Sequence, residues 1–187
     1  MNKPIIIIGA GGHAKVIADI LLKNGEQLLG FLDDAAVGMV YGGYEVLGKV
    51  ADCTQYADKA RFIIGIGNNA VRCHIAEQYA LDWATAVHPS AQIALGVTLG
   101  EGTVVMANAV LGSDAVVGRH CIVNTASVVE HDVALGDFVH LSSAVTLCGA
   151  VTVGDNTFID AGVTVLRGTK IGADRVIDIG SVVAEDK

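Results

Sequence analysis

A parallel β-helix built from six-residue turns, preceded by a small α/β domain, is the fold this sequence predicts. Three observations predict it. Every sixth residue from Ile93 to Ile177 is Ile, Leu or Val, a period that short solenoid turns produce and that neither an α-helix nor a flat sheet does. The residue after each of these is often glycine (Gly100, Gly112, Gly118, Gly136, Gly154, Gly172), and the residue four positions after is small. The first 86 residues instead alternate apolar runs with amphipathic stretches and glycine turns, as strand–helix–strand units do.

In chain order, Ile5–Ile8 reads as a buried strand closed by the turn Gly9-Ala10-Gly11-Gly12-His13. A helix is expected from about Ala14 to Lys23, with Val16, Ile17, Ile20 and Leu21 on its apolar face. Leu28–Leu32 is a second strand, ending at Asp33-Asp34. A glycine-rich loop around Gly42-Gly43 and a short helix near Val50–Tyr56 precede a third strand, Arg61–Ile66. Gly67-Asn68-Asn69 closes that strand, and a helix runs on to about Tyr79. About three parallel strands make half of a dinucleotide fold, a Rossmann-like unit suited to a mononucleotide. Thr85–Ser90, with Pro89, marks the junction. The α/β domain is therefore expected over residues 1–86 and the solenoid over 87–187, closely docked because no low-complexity linker separates them.

Within the solenoid, six residues form one side of a triangular prism and eighteen complete a coil, so residues eighteen apart lie in register. The glycines after the aliphatic column, with Asn124, Asp160 and Asp178 in the same column, read as corners that need unusual backbone angles. The small residues four positions after the aliphatic one turn inward, and Arg175 is the exception.

Composition narrows the function. The chain is 52% hydrophobic but only 5% aromatic, so small and β-branched side chains carry the packing, as a narrow solenoid requires. A net charge of −8 with no basic run excludes a phosphate-matching face, and nucleic acid is not an expected partner. Ile5–Ile8 is too short for a signal peptide or a membrane span, so a cytoplasmic protein with no membrane partner is expected. Cys53, Cys73, Cys121 and Cys148 lack Cys-x-x-Cys spacing and are expected as reduced thiols. Anionic ligands would rest on backbone N–H groups and a few of Lys15, Arg119, Arg167 and Lys170.

Two stretches carry candidate chemistry. The Gly9–His13 turn offers N–H groups at a helix N-terminus, which suits a phosphate, and Asp33-Asp34 stands where a ribose-binding acid would. The other stretch is Asn124 with Glu130-His131-Asp132. His131 is placed on a flat face, with Gly149 one coil above and Ser113 one coil below. A glycine over the imidazole would leave room for a ligand and expose a backbone N–H. Asp132 could orient the ring and raise its basicity; a solvated polar turn would carry the same residues. Among the other histidines, His74 has no assigned role, His88 beside Pro89 is structural and His120 is a surface residue of its turn. His131 and His140 are nine apart, on different faces, so no metal site is expected. Cys148 has no histidine one turn away that would make it an acyl-accepting nucleophile.

Taken together, Gly9-Ala10-Gly11-Gly12-His13, Asp33-Asp34, Gly65-Ile66-Gly67-Asn68-Asn69, Asn124-Thr125 and Glu130-His131-Asp132 with His140 resemble one family. It is the hexapeptide-repeat acetyltransferases that modify nucleotide-linked amino sugars or sialic acid in bacterial surface-glycan pathways, and the UDP-bacillosamine-pathway N-acetyltransferases are the most similar type. The resemblance implies a left-handed β-helix, a homotrimer with active sites between subunits, and acetyl-CoA as co-substrate. It implies His131 as general base, Asp132 as its supporting carboxylate and Asn124 near the sugar. His140 and Gly149 would face acetyl-CoA, with Ala161 and Ile179 farther along its groove. Gly11, Gly12, His13, Asp33, Asp34 and Gly67 would hold a nucleotide-sugar such as UDP-4-amino-4,6-dideoxy-N-acetylglucosamine. Two other functions fit the same residues: O-acetylation of sialic acid or another sugar hydroxyl, and a catalytically inactive nucleotide-sugar-binding scaffold.

Overall fold

The computed structural model describes residues 3–187. The α/β domain is a five-stranded sheet: β1 (Ile5–Ile8), β2 (Leu28–Leu32), β3 (Val40–Tyr41), β4 (Tyr44–Gly48) and β5 (Arg61–Ile64), in the order β3-β4-β2-β1-β5. All neighbours are parallel except β3 and β4, which form an antiparallel hairpin turned by Gly42-Gly43. The sequence expectation of about three strands is corrected here. Strands of two and five residues around a double glycine give no periodic run long enough to stand out from a loop.

Helix α1 (Gly12–Lys23) buries Ala14, Ile17, Ala18, Ile20 and Leu21 against one side of the sheet. Val16, expected on that face, is 43% exposed. Val50–Tyr56 is a 3₁₀ helix, and α2 (Asn69–Gln78) is capped by Asn68, whose side chain accepts from the Val71 N–H. β5 ends at Ile64, two residues short of expectation. Beyond α2 the chain returns along β5, with Ala84 donating to Phe62, and enters the solenoid at β6 (Ala86–Val87).

The solenoid is a left-handed parallel β-helix of two-residue strands in three flat faces. The first face carries β6, Val104–Val105, Ile122–Val123, His140–Leu141, Phe158–Ile159 and Val176–Ile177. Gln92–Ile93, Val110–Leu111, Val128–Val129, Thr146–Leu147, Thr164–Val165 and Val182–Val183 form the second. Thr98–Leu99, Val116–Val117, Ala134–Leu135, Thr152–Val153 and Lys170–Ile171 form the third. The eighteen-residue register holds throughout, as in Val128 opposite Thr146. The second residue of each strand from Val105 to Val183 is buried and builds the solenoid core. The small column also turns inward, and Arg175 stays exposed.

The corners differ from expectation. Positive φ falls not on the glycine-rich column but two residues later, at every corner residue from Gly96 to Gly180, including His120 (52°), Asp132 (59°) and Phe138 (59°). The glycines of the earlier column serve another purpose where the third face ends. At Gly136 a Cβ would collide with Asp155 of the next coil, whose Oδ1 accepts from the Asp137 N–H. Gly100, Gly118 and Gly154 are crowded by the next coil's backbone in the same way. These residues are glycine because coils approach closely, not because the chain needs a rare angle.

The α/β domain docks on the first face. Ala84, Ala86, Val104, Met106 and Ile122 share a core with α1 and the sheet residues beneath it. Asn24 donates to the Val87 carbonyl, and Asn69 donates to the carbonyl of Asn156.

Candidate active site

His131 and Asp132 occupy the corner between the second and third faces, not a flat face as expected. The left-handed angle at Asp132, tolerated because its side chain is short and polar, swings the carboxylate beside the ring. His131 Nδ1 lies 2.7 Å from Asp132 Oδ2. A carboxylate only accepts, so Nδ1 carries a hydrogen, and in the neutral ring Nε2 is the acceptor. Both side chains are about half exposed, at 48% and 61%.

Gly149 is stacked one coil beyond, with the Ala150 N–H donating to the His131 carbonyl at 2.9 Å. A Cβ on Gly149 would lie 2.7 Å from His131 Nε2 and 2.8 Å from Cε1. The space the glycine provides is therefore filled by the imidazole itself. A ligand must approach from the outer side of the ring.

Asn124 lies near the corner between the first and second faces, its Oδ1 accepting from the Thr125 N–H at 2.7 Å. Ala161 and Ile179 stack on that same corner, joined by the Gly180 N–H to the Ala161 carbonyl. Ile179 is 69% exposed.

His140 points outward from the first face and is buried by the α/β domain. Its Nδ1 is 3.0 Å from the Gly67 carbonyl, and its ring meets Phe158 edge-on at 5.0 Å. His13 lies 6.5 Å away, ring to ring. Burial, followed for His13 by the neighbouring His140 and for both by Arg72, pushes the two imidazoles down to about 4. Both are neutral near pH 7, and the Nε2 atom of each is buried without a partner among the described residues.

At the α1 N-terminus, Gly11 and Gly12 are exposed, and a Cβ on either would meet nothing. Asp33 Oδ2 accepts from the Ala10 N–H and Oδ1 from the Ala35 N–H, while Asp34 Oδ1 accepts from the Val50 N–H. These carboxylates tie the strand ends together, and Asp34 keeps one oxygen outside these bonds. They line a cavity at the carboxyl edge of the sheet with Gly9, Lys49, His74 and Tyr79, where open α/β sheets hold ligands. Sequence reasoning missed Lys49 and gave His74 no role. Lys49 follows β4, a strand read as loop, so nothing placed it beside the aspartates. Of the cations that reading favoured, Lys15 lies over the Tyr41 ring and Arg119 is bonded to Asp137.

His120, expected at the surface, is 1% exposed, stacked on Phe138 and edge-on to Trp83. Its corner is covered by the docked domain. Cys148 is a half-buried free thiol. Among the described residues no group of three or more His, Cys, Asp or Glu side chains is arranged to hold a metal ion, and no helix is long and apolar enough to cross a membrane.

Many acyltransferases share hexapeptide solenoids, and this one carries in addition a docked α/β domain and a corner His–Asp pair. Comparison with known proteins agrees. Residues 4–79 match the PglD N-terminal domain family. A mutant of perosamine N-acetyltransferase from Caulobacter crescentus, solved with CoA and GDP-perosamine, is 34% identical with a TM-score of 0.93, over 98% of this chain and 89% of that one. The acetyltransferase domain of PglB from Neisseria gonorrhoeae, solved with acetyl coenzyme A, is 32% identical with a TM-score of 0.94, over 100% and 93%. UDP-N-acetylbacillosamine N-acetyltransferase of Bacillus subtilis is 38% identical over 112 residues, 56% of this chain and 52% of that enzyme, so the chain spans about half its length. The chain belongs to the PglD-type family of acetyl-CoA-dependent sugar N-acetyltransferases.

Proposed function

We propose that this protein transfers the acetyl group of acetyl-CoA to the amine of a nucleotide-linked amino sugar, such as UDP-4-amino-4,6-dideoxy-N-acetylglucosamine, for surface-glycan synthesis in the cytoplasm. The observation that carries this reading is the His131–Asp132 pair, with the imidazole Nε2 stacked against Gly149. The sugar amine attacks the thioester carbonyl, forming the C–N bond while its proton passes to His131 Nε2. Asp132 stabilises the resulting imidazolium through Nδ1. The Gly149 N–H is assigned to the oxyanion. Collapse breaks the C–S bond, and the departing CoA thiolate takes the proton back, leaving CoA and the N-acetyl sugar. Asn124 lies on the sugar side. His140, Ala161 and Ile179 line the CoA path, and Gly11, Gly12, His13, Asp33, Asp34 and Gly67 hold the nucleotide-sugar.

The active unit is a homotrimer with sites between subunits. Its support is geometric: the α/β domain covers the first face, and His131 stands at the corner opposite that face of the prism. A sugar held by one subunit's α/β domain therefore meets the imidazole of a neighbour. The second face leads from one of these regions to the other. Its outward residues, Gln92, Val110, Val128, Thr146, Thr164 and Val182, are all uncharged, as a buried contact requires.

The test is thiol release from acetyl-CoA across UDP-, GDP- and dTDP-linked amino sugars, with sugar hydroxyl acceptors beside them. His131→Ala should lower turnover about 10²–10⁴-fold, and Asp132→Asn should lower it less. Near-normal turnover by a folded His131→Ala protein removes the general base. Release with hydroxyl acceptors alone reassigns the reaction to O-acetylation.

A further inference from the structure

We propose that Arg72 is a positioning residue of this site: through the Gly67 carbonyl it holds His140 in the tautomer with hydrogen on Nδ1, so that Nε2 accepts a hydrogen bond from a ligand. The inference deepens the functional reading above and rests on it for the ligand, though not for the tautomer.

Arg72 is 1% exposed and has no carboxylate partner among its hydrogen bonds. Its guanidinium instead donates to oxygens of both domains. Nε donates to the His120 carbonyl at 2.8 Å and Nη2 to the Phe138 carbonyl at 2.9 Å, both on the solenoid. Nη1 donates to the Ile66 and Gly67 carbonyls at 3.2 and 3.1 Å, and Nη2 also to Asn69 Oδ1 at 2.9 Å. All five N–H groups of the fork are matched. A lysine has three donors on a tetrahedral ammonium and cannot span the same oxygens.

One of those oxygens is shared. The Gly67 carbonyl also contacts His140 Nδ1 at 3.0 Å. A carbonyl has no hydrogen to give, so Nδ1 must donate, and Nε2 is left as a lone pair inside the domain junction. That lone pair has no partner among the described residues, and neither has the facing His13 Nε2. A buried acceptor left unmatched loses its bond to water without replacement, and a ligand donor would restore that bond. The Arg72 charge adds to burial in keeping both rings neutral.

The tautomer selects the ligand chemistry. A thioester carbonyl offers only lone pairs, so His140 cannot hydrogen-bond it. The amide N–H groups of the pantetheine arm of CoA and the amine or hydroxyls of the sugar are donors and do match. Both sources share one chemistry, a polar N–H or O–H reaching His140 Nε2 beside His13.

The experiment is long-range ¹H–¹⁵N spectroscopy of the full-length protein with labelled histidine. Ligand-free wild type should show His140 as a single Nδ1–H tautomer at pH 7, and folded Arg72→Lys should show a mixture of tautomers. In wild type, added CoA should move the His140 Nε2 signal if pantetheine is the donor. Added UDP-4-amino-4,6-dideoxy-N-acetylglucosamine should move it if the sugar is. Hydrogen on Nε2 in the wild type overturns the proposal, as does an unchanged tautomer in folded Arg72→Lys or a signal that neither ligand moves. Should Arg72→Lys fail to fold, the wild-type spectrum still decides. His140→Asn, which keeps an N–H near Gly67 but offers no acceptor at Nε2, should then raise KM for one ligand about tenfold; an unchanged KM for both overturns the proposal. A correct ligand-free tautomer in a protein that acetylates nothing would sink the functional reading alone.

Discussion

His131 and Gly149 make one unit at the residue scale, because the ring rests where a glycine Cβ would be. Gly149→Val should push the imidazole off its stack and lower turnover at least tenfold while the solenoid stays folded, since valine suits a β-compatible position. Circular dichroism and thiol release measured together check this; full activity with valine in place would end the stacking argument. Ala150→Val is no neutral control, because Ala150 has φ 60° and a β-branched residue there is strained. Thr152→Val, outward on the third face, is the better one and should leave turnover unchanged. The buried histidines set a second expectation. His120 and His140 are held at about 4, chiefly by burial, against 6.5 for the free side chain. Between those values the unfolded chain takes up protons that the folded one refuses, so stability falls as pH drops from about 6.5 towards 4. The loss is about 2 kcal/mol per histidine by pH 5. His120→Phe should remove one such share and flatten the pH dependence of the urea midpoint; an unaltered slope would mean that His120 is not held neutral.

Two glycine-bearing columns run along the solenoid at the element scale, and they answer to opposite substitutions. The corner column needs φ near +60°, which alanine tolerates poorly. Ala126→Gly, Ala144→Gly and Ala150→Gly should each stabilise by about 0.5 kcal/mol after the entropy cost of glycine in the unfolded chain. The third-face edge needs no rare angle but has no room, so Gly136→Ala should destabilise by about 1–3 kcal/mol. Urea denaturation of the four variants gives both signs in one experiment; stabilisation by Gly136→Ala would refute the close-approach account. The aliphatic column was legible in the sequence because its inward direction repeats every six residues without interruption. The reason for the glycines was not. A rare angle and a close approach both select glycine, and only coordinates separate them. The β3–β4 hairpin escaped for a different reason, since two strands of two and five residues carry no period.

At the scale of the whole molecule, the proposed site divides into a part on the α/β side of the solenoid and a part on the opposite corner. If neighbours complete each other's sites, mixing His131→Ala with Asp33→Ala subunits should restore activity that neither has alone. Random assembly of three symmetric subunits would make about a quarter of the sites whole. Analytical ultracentrifugation should find trimers in each preparation. Recovery of no activity from verified mixed trimers would place both residues in sites of a single chain.

The sequence by itself determined the solenoid, its eighteen-residue register and the stacking of Gly149 on His131, because a strict period leaves no freedom in which residues become neighbours. It also brought Asp132 next to His131, by adjacency in the chain. Only the tertiary structure decided that this pair turns a corner, that the imidazole fills the glycine's space, and that His120 is buried. It alone joined His13 to His140, and Arg72 to the Phe138 carbonyl. Those pairs are separated by 127 and 66 residues, with no period linking them. They depend on how one domain docks on a face of the other, a rigid-body placement that local patterning does not encode.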